Sequence, residues 1–229
     1  MDVMKEHPRL QEDEIFQVKF DDIASEIKAQ SRQNISFSGQ SKNCCVGIVD
    51  AVDSTKIAAM LPSDKMCEYY RIFLNFMAIV VQDFGGVIIK NIGDSLLYYF
   101  PKTEDGTDKE ELRKILECSL VMVESYAVIN KLMFKCGLPP VRYRVSSDYG
   151  KITIAKSSNS DLEDLFGSTV NVCSKINRIA LPNHIVVGGD LYQVAKSLKG
   201  YAFEMTSSYS LGLKLDYPVY SLFRSKIIS

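Results

Sequence analysis

Tryptophan is missing from this 229-residue chain, and histidine occurs only at His7 and His184. Two isolated histidines do not build a zinc ligand set, and the six cysteines (44, 45, 67, 118, 136 and 173) contain no C-x-x-C pair to supply one. They read as small buried hydrophobes of a reducing cytosol. An excess of one charge is also missing. The 27 basic and 28 acidic residues leave a net charge of -1, which excludes a broad nucleic-acid-binding surface while leaving room for a local basic pocket. No long uninterrupted apolar run exists. The longest, Ile72 to Ile89, is broken by Asn75, Gln82, Asp83 and two glycines, and reads as a buried helix running into a strand, not a membrane span. Residues 1–14 are charged and lack the apolar core of a secretory signal. Neither a Walker loop nor a G-x-G-x-x-G fingerprint is present. These absences point to a soluble, cytoplasmic protein with no membrane span and no nucleic-acid partner.

What is present suffices for one sizeable domain plus an extension, with a core large enough to need no staples. Residues 1–42 stand apart. Glu12 to Gln33 places Phe16, Phe20, Ile23 and Ile27 at three- and four-residue spacing, the pattern of an amphipathic helix, and polar Ser31 to Lys42 reads as a linker. The domain proper covers residues 43–229. Cys44 to Val49 is a short apolar run suited to a buried strand ending at Asp50. Ser63-Asp64 is placed to cap a helix running to about Phe84, and Val87 to Asn91 and Leu96 to Phe100 read as strands joined by the turn Ile92-Gly93-Asp94-Ser95. A long helix is expected from Gly106-Thr107, with Glu110 in a capping box, to Gly137. Val141 to Ser147 and Ile152 to Ala155 read as a hairpin around Tyr149-Gly150-Lys151, followed by a loop at Ser157 to Asp161. A helix after Gly167-Ser168, a strand at His184 to Val187, a short helix at Asp190 to Lys199 and two last strands complete the chain. This order predicts an α+β fold, with helices packed on a mixed, mostly antiparallel sheet.

Two carboxylates stand where chemistry would want them. Asp50 ends the first strand and Asp94 sits in the hairpin turn, so neighbouring strands would bring both to one sheet edge. Paired carboxylates with positions left for water and phosphate are how proteins hold magnesium, and two such ions clamp an attacking and a leaving oxygen.

Three segments then resemble the class III nucleotidyl (adenylyl and guanylyl) cyclases. Ile48-Val49-Asp50-Ala51-Val52-Asp53-Ser54-Thr55 resembles the first metal-binding segment, and Lys90-Asn91-Ile92-Gly93-Asp94 the hairpin with the second metal aspartate. Asp164 to Lys175 is similar to the segment that joins base recognition to transition-state contacts. The resemblance runs from about residue 44 to about 223, in order. It implies a ferredoxin-like βαββαβ core, a head-to-tail homodimer with shared active sites, and cyclisation of a nucleoside triphosphate with release of pyrophosphate. It implies that Asp50 and Asp94 bind two Mg²⁺ or Mn²⁺ ions, that Asn171 and Lys175 are catalytic, and that Lys90, Asp164, Ala51 and Lys214 contact substrate. Lys90 and Asp164 would read the base from the partner chain; a lysine meets adenine N1 and a carboxylate the exocyclic amine, which favours ATP.

Three departures accompany the resemblance. Lys175 stands where the family usually has arginine, exchanging a planar fork for a mobile point charge, and Arg178 is the nearby candidate to compensate at a phosphate. Leu211-Gly212-Leu213-Lys214 stands where the family often has Lys-Gly. Asp148 occupies a position where histidine is more usual, and no role attaches to it. Two further readings stay open: a cyclase for GTP, CTP or UTP, and an inactive nucleotide-binding or dimerisation module.

Overall fold

The computed structural model describes residues 35–157, 163–210 and 216–225. The expected helix at Glu12 to Gln33, most of the expected loop at Ser157 to Asp161, and Lys214 lie outside the described residues.

The first strand, β1 (Ile35–Ala51), begins inside the segment that reads as a linker, because residues 35–37 already pair with Ala155 to Ser157. Its apolar run is continuous because both faces are covered. Cys45, Val49 and Ala51 enter one core cluster, while Cys44, Val46 and Ile48 enter another. Two helices follow, α1 (Ser54–Met60) and α2 (Ser63–Asp83), then β2 (Val87–Ile92) and β3 (Ser95–Phe100). Helix α1 has no counterpart in the sequence reading, and Ser63 is the first helical residue behind Pro62, not a side-chain cap. Tyr69, Phe73, Met77, Val80 and Val81 of α2 are buried at helical spacing against the sheet.

The second long helix departs from expectation at both ends of its first half. It starts at Lys109, where the Asp108 carboxylate accepts from the N–H groups of Glu110 and Glu111 at 3.0 and 3.1 Å. Ser125 then divides it into α3 (Lys109–Glu124) and α4 (Tyr126–Lys135). The expected hairpin around Tyr149-Gly150-Lys151 does not form. Tyr143–Ser157 is one strand, β4. Gly150 serves a close approach instead of a turn: a Cβ there would lie 2.7 Å from Thr169 Oγ1 on the helix packed above it. The chain returns as β5 (Glu163–Phe166), antiparallel to β4, and enters α5 (Ser168–Asn177). Then come β6 (Ile185–Gly188), α6 (Gly189–Ala195), β7 (Tyr201–Ser210) and β8 (Asp216–Arg224).

The sheet order is β2-β3-β1-β4-β6-β8-β7, with β5 beside β4, and among the described residues only the β4–β6 pairing is parallel. The order β2-β3-β1-β4, with helices in both crossovers, is the ferredoxin-like βαββαβ core. Helices α2, α3 and α4 cover one face through the large cluster that includes Tyr143 and Phe73. Helix α5 covers the other, with Cys173 among Val46, Ile48, Leu97 and Ile152. Four cysteines are buried as expected, whereas Cys67 is exposed and Cys136 half-buried; all six are free thiols. Among the described residues no helix is long and apolar enough to cross a membrane.

Asp148 has a structural post that the sequence did not suggest. Its buried carboxylate accepts from the backbone N–H groups of Tyr149 and Leu191 at 2.9 and 3.2 Å, and from the Tyr217 hydroxyl at 2.9 Å. It thereby joins β4, α6 and β8. Burial pushes the carboxyl up to about 7, against the pull of these donors, with Asp190 adding to the rise. An acid with a higher pKa folded than unfolded binds its proton more tightly in the native state. Its contribution is complete below the ordinary value of 3.8 and is lost as pH rises through about 7. Stability is therefore expected to fall across that window by on the order of a few kcal/mol through this group. In thermal unfolding at stepped pH, Asp148→Asn should show a shallower decline than the parent; parallel curves would refute the assignment.

Candidate active site

The site grows from the C-terminal end of β1. Register places Asp50 opposite Ser95 on one side and opposite Arg144 on the other. The Ser95 hydroxyl donates to Asp50 Oδ1, and Arg144 Nη2 lies 3.4 Å from Oδ2. Asp94, in the turn before Ser95, is tied back by its carbonyl, which accepts from Ala51 N–H at 3.4 Å. Burial raises the Asp50 pKa and the nearby Asp94 charge adds to this, while the Ser95 hydrogen bond and the charges of Arg144 and Arg178 oppose it. Asp94 is thus near enough for its charge to act on Asp50. Ala51 is buried and its N–H is engaged by the Asp94 carbonyl.

Sequence reasoning missed Arg144. Its Nε is buried without a hydrogen-bond partner among the described residues, and its Nη1 donates to the carbonyl of Arg178 at 3.4 Å. The alternation Arg142-Tyr143-Arg144 put both arginines on one face of the expected strand Val141 to Ser147 without saying which face, and in the structure Arg142 precedes β4. Arg142 pairs with Asp53, which follows Asp50 by three residues and is held at φ 59°, and the Arg142 carbonyl accepts from Val52 N–H at 2.7 Å. The turn after Asp50 is therefore clipped twice to Arg142, the residue just before β4.

Lys90 on β2 and Asp164 on β5, far apart in sequence, meet in an ion pair. Asp164 Oδ1 also accepts from Leu165 N–H at 2.8 Å, which fixes the carboxylate. Both side chains keep a solvent-facing part, 43% and 35% exposed. Asn171 and Lys175 lie one turn apart on the exposed side of α5, whose opposite side buries Thr169, Cys173, Ile176 and Asn177. Asn177 Nδ2 donates to the Ile48 carbonyl at 3.2 Å, locking the helix over β1. Between this helix and the strands is an open pocket of about 180 Å³, bounded by Asp50, Ile92, Ser95, Ser174, Asn177 and Arg178.

Among the described residues no group of three or more His, Cys, Asp or Glu is placed to hold a metal. A pair of carboxylates suits a hard cation that keeps waters and takes the remaining oxygens from substrate, so Asp50 and Asp94 fit Mg²⁺ or Mn²⁺ better than a soft metal.

The sequence model of the adenylate and guanylate cyclase catalytic domain matches residues 37–223. The chain belongs to this family. An adenylate cyclase of Streptomyces coelicolor is 25% identical to this cyclase domain over 146 residues, 64% of this chain and 32% of that protein. A cytidylate cyclase of Staphylococcus aureus is 23% identical over 152 residues, 64% of this chain and 36% of that one. The cyclase domain thus spans about a third of the length of these curated relatives. The fold is that of the adenylyl cyclase CyaB from P. aeruginosa, at a TM-score of 0.74 and 18% identity, covering 82% of this chain and 97% of that one. The guanylyl cyclase Cya2 follows at 0.70 and 16% identity, covering 83% and 97%.

Proposed function

We propose that this cyclase domain converts ATP to 3′,5′-cyclic AMP and pyrophosphate at sites shared between two copies of the chain. The observation that carries the reading is the pairing of Lys90 with Asp164, a donor and an acceptor held side by side from separate strands. An ammonium facing a ring nitrogen acceptor and a carboxylate facing an exocyclic amine complement the edge of adenine. Guanine and uracil present the wrong order of donors and acceptors. Cytosine, with N3 and its 4-amine, presents the same order as adenine. That chemistry and the relative named a cytidylate cyclase support CTP as the second reading.

In the proposed reaction the ribose 3′-oxygen bonds to the α-phosphorus, the bond from that phosphorus to the bridging oxygen of pyrophosphate breaks, and the 3′-hydroxyl proton is lost. Two divalent ions held by Asp50 and Asp94 would supply acidification of the hydroxyl and neutralisation of the triphosphate charge. Arg144, already directed at this end of β1, would take phosphate oxygens. Lys90 and Asp164 would hold the base, Asn171 the ribose, and Lys175 and Lys214 the phosphates, all five residues contributed by the partner copy. Lys175 gives the migrating phosphoryl group one charged donor where arginine would give a fork.

The test is incubation with ATP, GTP, CTP and UTP separately, with Mg²⁺ or Mn²⁺, and identification of cyclic products by mass. Cyclic AMP as the dominant product is expected. Cyclic CMP would transfer the reading to cytosine, and cyclic GMP or UMP would overturn the assignment of Lys90 and Asp164 as base readers.

A further inference from the structure

Lys175 and Arg178 are three residues apart on exposed positions of α5, so spacing alone makes them look like alternatives at one phosphate. Their surroundings differ. Arg178 caps the C-terminal end of the helix and bounds the pocket that contains Asp50 of its own chain; Lys175, one turn earlier, is not among the pocket-lining residues. That helix end is fixed to β1, which carries Asp50, and to β4 beside it. Asn177 Nδ2 bonds to the carbonyl of Ile48, two residues before Asp50, and Arg144 Nη1 bonds to the carbonyl of Arg178 itself. The Ser146 hydroxyl of β4 adds a third tie, to the Cys173 carbonyl at 3.0 Å. Arg178 makes no ion pair with a carboxylate among the described residues. Asp50 instead has Arg144 as its near cation, leaving the guanidinium of Arg178 at the pocket rim for an incoming anion.

The geometry points to Arg178 as a contact for the substrate triphosphate in the site built on its own chain's Asp50, the site opposite to the one Lys175 serves. This assignment rests on the shared-site reading above. Together with Arg144, it provides two planar guanidinium forks on the carboxylate side of the site, a geometry that matches phosphoryl oxygens. The phosphate grip would then be divided: arginines in cis with the metal carboxylates, lysines in trans. It also changes what compensates for Lys175. The missing fork is not replaced on the same helix face of the same copy; the extra arginine enters each site from the other side.

Heterodimer complementation separates the possibilities. Asp50→Ala, Lys175→Ala and Arg178→Ala chains are co-expressed in pairs with different tags, and the mixed dimers are isolated and assayed. The control pair Asp50→Ala with Lys175→Ala should regain about half of parent turnover, because one of its two sites is intact; failure of this control overturns the shared-site reading itself. Arg178→Ala homodimers should lose roughly tenfold in kcat/KM, mostly through KM, with Arg178→Lys retaining part of it. The Arg178→Ala/Lys175→Ala pair should recover like the control, and the Arg178→Ala/Asp50→Ala pair should not. The reverse pattern would put Arg178 in trans with Lys175 and overturn the inference, as would parent-like kinetics of Arg178→Ala.

Discussion

Asp94→Ala is expected to lower cyclic nucleotide formation by about a thousandfold or more, the scale of losing a preorganised charge-stabilising group, while leaving the fold intact. Asp94 is a cleaner probe than Asp50. The Asp50 carboxylate accepts from Ser95 and faces Arg144, so alanine there also leaves a half-buried hydroxyl and a guanidinium without their partner. Asp94 contributes to the fold through its carbonyl, bonded to Ala51 N–H, and its side chain makes no hydrogen bond among the described residues. Alanine preserves that carbonyl. Thermal unfolding of the variant should follow the parent within a degree or two, whereas product measured by mass should fall to background. Parent-like turnover would remove Asp94 from the metal site; a collapse in unfolding temperature would mean that the turn depends on the carboxylate.

Gly47→Ala is expected to have the largest effect on stability. Gly47 lies between Tyr98 on β3 and Ser147 on β4, in the strand that carries Asp50. A Cβ at Gly47 would fall 2.2 Å from Cε2 and 2.3 Å from Cζ of the Tyr98 ring. That ring is fully buried, set edge-on to Phe100 at 6.2 Å, with its hydroxyl against Met122 Sδ at 3.8 Å, so it has nowhere to retreat. Overpacking of this kind costs about 3 kcal/mol or more. The unfolding midpoint should drop by roughly 6–12 °C in a domain of this size. Combining it with Tyr98→Ala should cost less than the sum of the two single changes, since the clash disappears with the ring. Strict additivity would show that the destabilisation has another source.

The carboxylate pair was legible because a buried apolar run and a short hairpin each announce where a strand ends, and the ends carried Asp50 and Asp94. Arg144 was not legible, because its facing Asp50 depends on the β1–β4 register, and a one-residue slip would turn it to the other side of the sheet. Gly150 misled because glycine marks both turns and close approaches; the approaching Thr169 is supplied by α5, distant in sequence. β5 was invisible because Glu163-Asp164-Leu165-Phe166 has little strand propensity and is held by its pairing with β4. The break at Ser125 lacks glycine or proline, so the apolar periodicity of α3 and α4 reads as one helix. Asp148 reads as an ordinary polar residue until three donors from separate elements close on it.

The ion pair between Lys90 and Asp164 has a consequence for how selectivity would be expressed. In the free chain the two groups satisfy each other, so on the proposed function the base-reading edge would be stoppered by its own members. An incoming base exchanges partners with them instead of adding bonds to idle groups, and the net gain is a difference between two similar quantities. A matching base recovers what the opened pair gives up; a mismatched one leaves an ammonium and a carboxylate facing like-natured atoms. On the proposed function, the base would therefore add little to affinity and much to discrimination. A nucleotide with the matching base would be held about as tightly as its triphosphate alone allows, and one with a mismatched base more weakly, by the cost of opening the pair.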